Sequence, residues 1–268
     1  MTVPLAAGAP LAFITGASSG IGQALAARLH TQGHRLALVA RRADAVRAWA
    51  EGQGWAPQDW AVYAADVRDL AAVSVAGRTC LAAQGTPDIV IANAGISVGM
   101  DTAVASDLAV MRATLETNLL GTAATFQSFV APMRARGSGR LVGISSVAAI
   151  RGLPGHGAYC ASKAGVMAYC ESLRGELRGS GVRVVTITPG YVDTPLTRRN
   201  PYTMPFLMRP DAFAEQACQA IRAGTSYQVI PWQMGIVAKL FRILPNALYD
   251  RALAGRARKP RQGTSDLG

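Results

Sequence analysis

Seven short apolar runs, separated by longer stretches of helical periodicity, set the tightest limit on how this chain folds. The runs are "LAFIT" (11–15), "RLALVA" (35–40), "WAVYAA" (60–65), "DIVIAN" (88–93), "RLVGIS" (140–145), "VRVVTIT" (182–188) and "YQVIP" (227–231). Several are apolar almost throughout, as parallel strands covered on both faces must be. Between them, segments rich in Ala, Leu and Arg, such as 20–32, 69–84, 106–136 and 156–179, read as helices. Parallel strands need crossovers of this kind, so the alternation predicts a single doubly wound α/β domain with helices on both faces of the sheet. With 268 residues, half of them apolar, the chain can bury one sizeable core. Residues 1–231 read as that domain, and 232–268 as an amphipathic helix and basic tail that extend it.

The net charge of +11 raises the question of a nucleic-acid partner; none is expected, although a basic tail is compatible with anionic lipid, nucleic acid or solubility and alone selects none of them. From Lys239 to Arg261 there are seven cations and one anion, Asp250, which leaves the main body only mildly basic. The segment "WQMGIVAKLFRIL" (232–244) places Ile236, Val237, Leu240, Phe241, Ile243 and Leu244 on one arc, with Lys239 and Arg242 on the other side. Peripheral contact with an anionic membrane is one reading of that helix; a cover for the chain's own pocket or for another subunit is the favoured one. Four cysteines without CxxC spacing read as reduced, buried thiols, and three dispersed histidines suggest no metal site. No cationic leader precedes the first strand and no apolar run reaches transmembrane length, so the expected location is the cytoplasm.

The first strand runs into "TGASSGIG" (15–22), which opens the first helix. Gly16, Gly20 and Gly22 let the backbone turn sharply and let a phosphate reach main-chain N–H groups at a helix N-terminus; Ser18 and Ser19 can add hydroxyl donors. The spacing is GxxxGxG, not GxGxxG. The second strand ends in Ala40, where an acid would grip the ribose 2′-hydroxyl of NAD. Arg41 and Arg42 follow instead, and two guanidiniums suit a 2′-phosphate, so NADP(H) is preferred over NAD(H).

Only three of the 27 Lys and Arg residues are lysines, and one of them, Lys163, stands four positions after Tyr159 in "AYCASKAG". Four residues of helix advance about 400° and ~6 Å, so the two side chains leave one face. An ammonium ~5 Å from a phenol, at an effective dielectric of about 20, favours the phenolate by roughly 3 kcal/mol, or about two pKa units.

Taken with "ADVRD" (65–69), "ANAG" (92–95), "NLLG" (118–121), "GISS" (143–146), "YCASK" (159–163) and "PGYVDTP" (189–195), the chain resembles the short-chain dehydrogenase/reductase family over roughly residues 10–230. The resemblance implies a seven-stranded Rossmann sheet and hydride transfer between a nicotinamide cofactor and a carbonyl or alcohol. It implies a catalytic tetrad of Asn118, Ser146, Tyr159 and Lys163, in which Ser146 and Tyr159 meet the substrate oxygen, Asn118 holds a relay water and Lys163 reaches the nicotinamide ribose. For the cofactor it implies Asp66 at the adenine with Val67 beside it, Asn93 bracing the central strands, and Ala94 and Gly95 leaving room. Pro189 and Gly190 would border the nicotinamide, Thr194 would bind the carboxamide or pyrophosphate, and Ile21 and Val192 would complete the site. Ala92 stands where the family more often has a second asparagine. The family also implies a homodimer or homotetramer, and the small residues Ala161, Gly165, Ala168 and Ser172 would let another helix approach.

The segment 190–210 falls where the family keeps a substrate lid. Tyr202, Met204, Phe206, Leu207 and Met208 would line it, which points to a hydrophobic substrate. The rival reading is a non-catalytic dinucleotide-binding or redox-sensing protein, which would have no need of Ser146, Tyr159 and Lys163 together.

Overall fold

A computed structural model of the chain describes residues 5, 6 and 8–261. Each apolar run forms a strand: β1 (Leu11–Thr15), β2 (Arg35–Ala40), β3 (Trp60–Ala64), β4 (Ile89–Ala92), β5 (Gly139–Ile144), β6 (Val182–Pro189) and β7 (Tyr227–Ile230). They make one seven-stranded sheet in the order β3-β2-β1-β4-β5-β6-β7, and every neighbouring pair is parallel. The chain turns back on itself between β1 and β4, which opens a crevice beyond the carboxyl ends of these two strands.

The strands read as continuous apolar runs because alternate residues serve opposite layers. In β1, Ala12 and Ile14 face one core with α1 (Gly20–Thr31), α2 (Ala43–Gly52) and α7 (Pro210–Ala223). Leu11 and Phe13 face the other, with α3 (Leu70–Gln84), α5 (Gly121–Arg136) and α6 (Gly157–Glu176). Phe13 meets Phe129 there, ring centroids 4.6 Å apart. All four cysteines are buried free thiols, and Cys80, Cys170 and Cys218 belong to these layers. Asp69 begins α3 by accepting a hydrogen bond from Ala72 N at 2.9 Å, the capping its position predicts.

The stretch 106–136, expected as one helix, is two. A single π turn (Glu116–Leu120) separates α4 (Asp107–Leu115) from α5. The extra residue turns Asn118 inward, where its amide bonds to the chain after β4 offset the local misfit.

The second departure lies in α8 (Trp232–Ile243), which is followed by α9 (Asn246–Leu253). The apolar arc expected to be covered is largely exposed, Ile236 at 51%, Leu240 at 55% and Ile243 at 77%. Met234, Gly235 and Ala238 face inward instead. The small residues let α8 lie close on β7: a Cβ on Gly235 would come within 3.2 Å of Val229, so the bulky side chains are left on the far side. Arg151 holds the end of α8 by donating to the carbonyls of Phe241 and Leu244, and its guanidinium sits 3.8 Å from the Tyr249 ring centre. On α6, Ala161, Ala168 and Ser172 are exposed, while Gly165 packs under Leu119 of the same chain. No helix among the described residues is long and apolar enough to cross a membrane.

Candidate active site

A cleft of about 710 Å³ opens at the carboxyl ends of the strands. Every site residue named from the sequence lines it except Gly22 and Asn118, which sit behind its wall. Gly22 packs beneath the first turn, where a Cβ would come within 2.8 Å of the Asn93 amide nitrogen. Gly16 has φ +70°, and a Cβ there would lie 2.7 Å from Ala94 Cα, so only glycine lets β1 and the loop after β4 approach this closely. Asn93 clamps that approach: its Nδ2 donates to the carbonyls of Thr15 (3.1 Å) and Gly16 (3.2 Å). Ser19, which precedes α1, makes no side-chain cap bond, and the first turn of α1 carries no acid. The N–H groups there suit a ligand phosphate.

At the end of β2, Arg41 and Arg42 line the cleft beside Asp66. Asp66 accepts from the Arg68 backbone (3.0 Å), its Nε (3.1 Å) and its Nη2 (2.8 Å), and Arg41 Nη1 lies 3.9 Å away. Burial alone would raise the Asp66 carboxyl; the Arg68 hydrogen bonds outweigh it and hold the group below the usual carboxylate range. The carboxylate expected at adenine is therefore engaged by Arg68, a cation visible in "ADVRD" whose role the motif alone did not suggest.

At the other end stand Ser146, Tyr159 and Lys163. Strand alternation separates the two serines after β5: Ser145 Oγ turns away and donates to the Lys163 carbonyl (2.8 Å), while Ser146 lines the cleft with Tyr159, its Oγ accepting from Ala148 N at 3.2 Å. Burial pushes the Tyr159 phenol up, and Ser146 pulls it down by less. That net direction is opposite to the one expected from Lys163. The Lys163 ammonium donates to the Ile144 carbonyl at 2.8 Å and lies 5.9 Å from the Tyr159 ring centre; burial lowers it to about 8. Asn118 sits behind the cleft wall, with its side chain bonded to neighbouring groups. Its Oδ1 accepts from Ile96 N (2.8 Å), and its Nδ2 donates to the Ile96 carbonyl (3.0 Å) and to Ser162 Oγ (2.9 Å).

The lid 190–210 departs from expectation. Tyr202, Met204, Phe206, Leu207 and Met208 do not line the cleft; Val192, Thr194, Pro195, Leu196, Thr197 and Arg199 do. Phe206 and Leu207 are half exposed, and Met208 pairs with Val192 and packs on the core. Tyr202 instead places its hydroxyl 3.4 Å from His156 Nε2 and its ring under Arg256. Sequence reasoning also missed the return of residues 256–261 to the cleft, where Lys259 and Pro260 form part of the wall. Among the described residues no cluster of His, Cys, Asp or Glu could hold a metal.

A doubly wound parallel sheet, a glycine-turned phosphate cradle at its switch point and a Ser-Tyr-Lys group at the far end define an oxidoreductase that uses a nicotinamide dinucleotide. Residues 10–204 match the short chain dehydrogenase family, and the chain belongs to it. An uncharacterized oxidoreductase of Myxococcus xanthus is 39% identical over 241 residues, covering 90% of this chain and 95% of that protein. An alcohol dehydrogenase from Thermococcus sibiricus, complexed with 5-hydroxy-NADP, is 28% identical and superposes with a TM-score of 0.73 over 82% of this chain and 95% of its own. A short chain dehydrogenase/reductase from Burkholderia phymatum in complex with NAD is 22% identical, with a TM-score of 0.79 over 95% of this chain and 97% of its own, and shares the fold.

Proposed function

We propose that this chain transfers hydride between NADP(H) and the carbonyl or hydroxyl carbon of a small molecule with an apolar body. The observation that carries this reading is the convergence of Ser146, Tyr159 and Lys163 at one end of a cleft whose other end is the glycine turn before α1. When bound, the nicotinamide supplies or accepts the hydride. Tyr159, raised above its ordinary value, keeps its proton at neutral pH and can give it to an oxygen on which negative charge develops. Ser146, which lines the cleft with the same phenol, orients that oxygen. Lys163 is held by Ile144 and directed at the Tyr159 ring, so its charge favours the phenolate left after proton transfer. Asn118 fixes the backbone of Ile96 against Ser162 of the catalytic helix and so acts by positioning. Ile96, Val98, Ile144 and Leu196 supply the apolar wall, in place of the lid residues the sequence suggested.

Preference for NADP(H) rests on Arg41 and Arg42 at the end of β2, with the neighbouring acid Asp66 already engaged by Arg68. Assembly as a homodimer or homotetramer belongs to the same reading, supported by the exposed small residues of α6. Replacing Tyr159 by Phe should lower NADPH-dependent carbonyl reduction by about 10³-fold, within the range for a general acid, and leave NADPH binding intact. Undiminished turnover by that variant would refute the assignment. Replacing Arg41 by Asp should cut the NADPH/NADH preference in kcat/KM by about tenfold or more, the order of one charge-assisted contact.

A further inference from the structure

Two of the chain's three lysines are buried in the same cleft. Lys163 belongs to the reaction just described. Lys259 does not, although it is 6% exposed and forms part of the wall. Its Nζ donates to Ser97 Oγ at 3.2 Å and to the Leu196 carbonyl at 3.3 Å, both long for charge-assisted bonds. An ammonium has three N–H donors, and none of the described carboxylates pairs with this one.

The surroundings make the missing counter-ion more conspicuous. Arg199 of the lid and His156 at the start of α6 are close enough to feel its charge, and Arg256, in the same strap of residues 256–261, acts on His156. Among the described residues the only acid on the cleft wall is Asp66, at the distant adenosine end and already held by Arg68. Burial, with Arg199 adding repulsion, lowers the Lys259 ammonium to about 8. A buried cation without an anion is costly, and a fold keeps one where a ligand supplies the charge.

The placement is also enforced from both sides. Arg256 donates to Tyr191 Oη at 2.9 Å, and its guanidinium lies 4.6 Å from the Tyr202 ring centre. Arg261 grips the Asp107 carboxylate with two bonds, 2.6 and 3.0 Å. Between these anchors the backbone passes so close to Gly99 that a Cβ there would collide with the carbonyls of Lys259 and Pro260. The strap is thus fastened by neighbours of Lys259, which leaves the lysine free to serve the cleft.

We propose that Lys259, with Arg199 nearby, forms an anion subsite that takes a carboxylate or phosphate group of a ligand bound in the cleft. On the functional reading above, the ligand is either an acidic substrate with an apolar body or the phosphate of the cofactor. Calorimetry separates the two sources without relying on turnover. Wild type and Lys259→Met, saturated with NADP⁺, are titrated with a series of keto acids of increasing chain length and with their methyl esters. The ligand-free proteins are titrated with NADPH and with inorganic pyrophosphate.

For a substrate subsite, the variant should lose about tenfold or more in affinity for the acids and none for the esters. For a cofactor subsite, NADPH and pyrophosphate should weaken by a similar factor. Equal affinities of both proteins for all four probes, or equal weakening of acids and esters with NADPH and pyrophosphate unaffected, would overturn the subsite. Lys259→Gln, measured in the same way, serves if the methionine variant does not fold. These titrations stand even if Tyr159→Phe refutes the reaction, so the two failures remain distinct.

Discussion

Lys163 and Lys259 are both ammonium groups buried in one cleft, and each is lowered to about 8 by burial, yet they are held by opposite means. Lys163 sits in a 20-residue helix packed against the sheet, one turn from its partner, with a 2.8 Å bond to the Ile144 carbonyl. Lys259 sits on irregular chain that arrives from far along the sequence and is tied down by Arg256 and Arg261. The first is a local device, whose geometry follows from helix pitch. The second depends on long-range contacts, Nζ to Ser97 being a separation of 162 residues. Removing the first should stop the chemistry, and removing the second should change only what is bound.

The largest expected effect is therefore at Lys163. Lys163→Met should lower kcat by about 10²–10³-fold, the scale of one electrostatic group acting on the transition state. Lys163→Arg should not restore it, because the rigid fork cannot repeat the single bond to Ile144. Steady-state kinetics on the two variants checks this, and recovery by arginine would erase the distinction drawn from shape. Next comes Lys259→Met, for which the loss should fall on kcat/KM for anionic ligands, by about 10–100-fold, with kcat on neutral carbonyls little changed. A kcat loss as large as that of Lys163→Met would place both lysines in the reaction.

Loosening the strap should matter less. Asp107→Asn removes the charge that Arg261 grips, and an ion pair on an exposed partner contributes ~1 kcal/mol at most, so affinity for anionic ligands should fall about fivefold or less. The last effect falls on stability against pH, not on activity. Folded Lys259 titrates near 8 and the unfolded side chain near 10.5, so between these values the unfolded chain binds more protons and stability rises with pH. Relative to Lys259→Met, wild type should gain about 6 °C in melting temperature from pH 8 to 10, the shift that ~2 kcal/mol of this linkage produces in a domain of this size. A constant difference across that range would mean that the Lys259 charge is not buried in solution.

The strands, their parallel pairing, the glycine turn and the Tyr159–Lys163 pair were legible because each is set by period or by short spacing. Near-continuous apolar runs can only be strands covered twice, and a four-residue interval on a helix can only be one face. Asn93 was legible for a related reason, since it acts on the two strand ends that any doubly wound sheet brings together.

Elsewhere local pattern pointed the wrong way. The periodicity of 232–244 named an apolar face but not which side would meet β7, and the close approach allowed by Gly235 and Ala238 put the small residues there and left much of the apolar arc uncovered by its own chain. The side-chain bond of Asn118 to Ile96 depends on a π turn that no local pattern announced. The lid aromatics looked like pocket lining until Tyr202 proved to be a seat for Arg256.

By itself, then, the sequence determined the sheet, the glycine turn and the pairing of Tyr159 with Lys163, all of which depend on residues close together in the chain or on strand ends that the topology forces into one place. Only the tertiary structure decided the fate of the basic segment. Seven cations between Lys239 and Arg261 read only as a basic tail, because charge alone carries no information about where a chain returns. Packing against Gly99, Asp107 and Tyr191 turned part of that stretch into a wall of the active site and Lys259 into a buried charge.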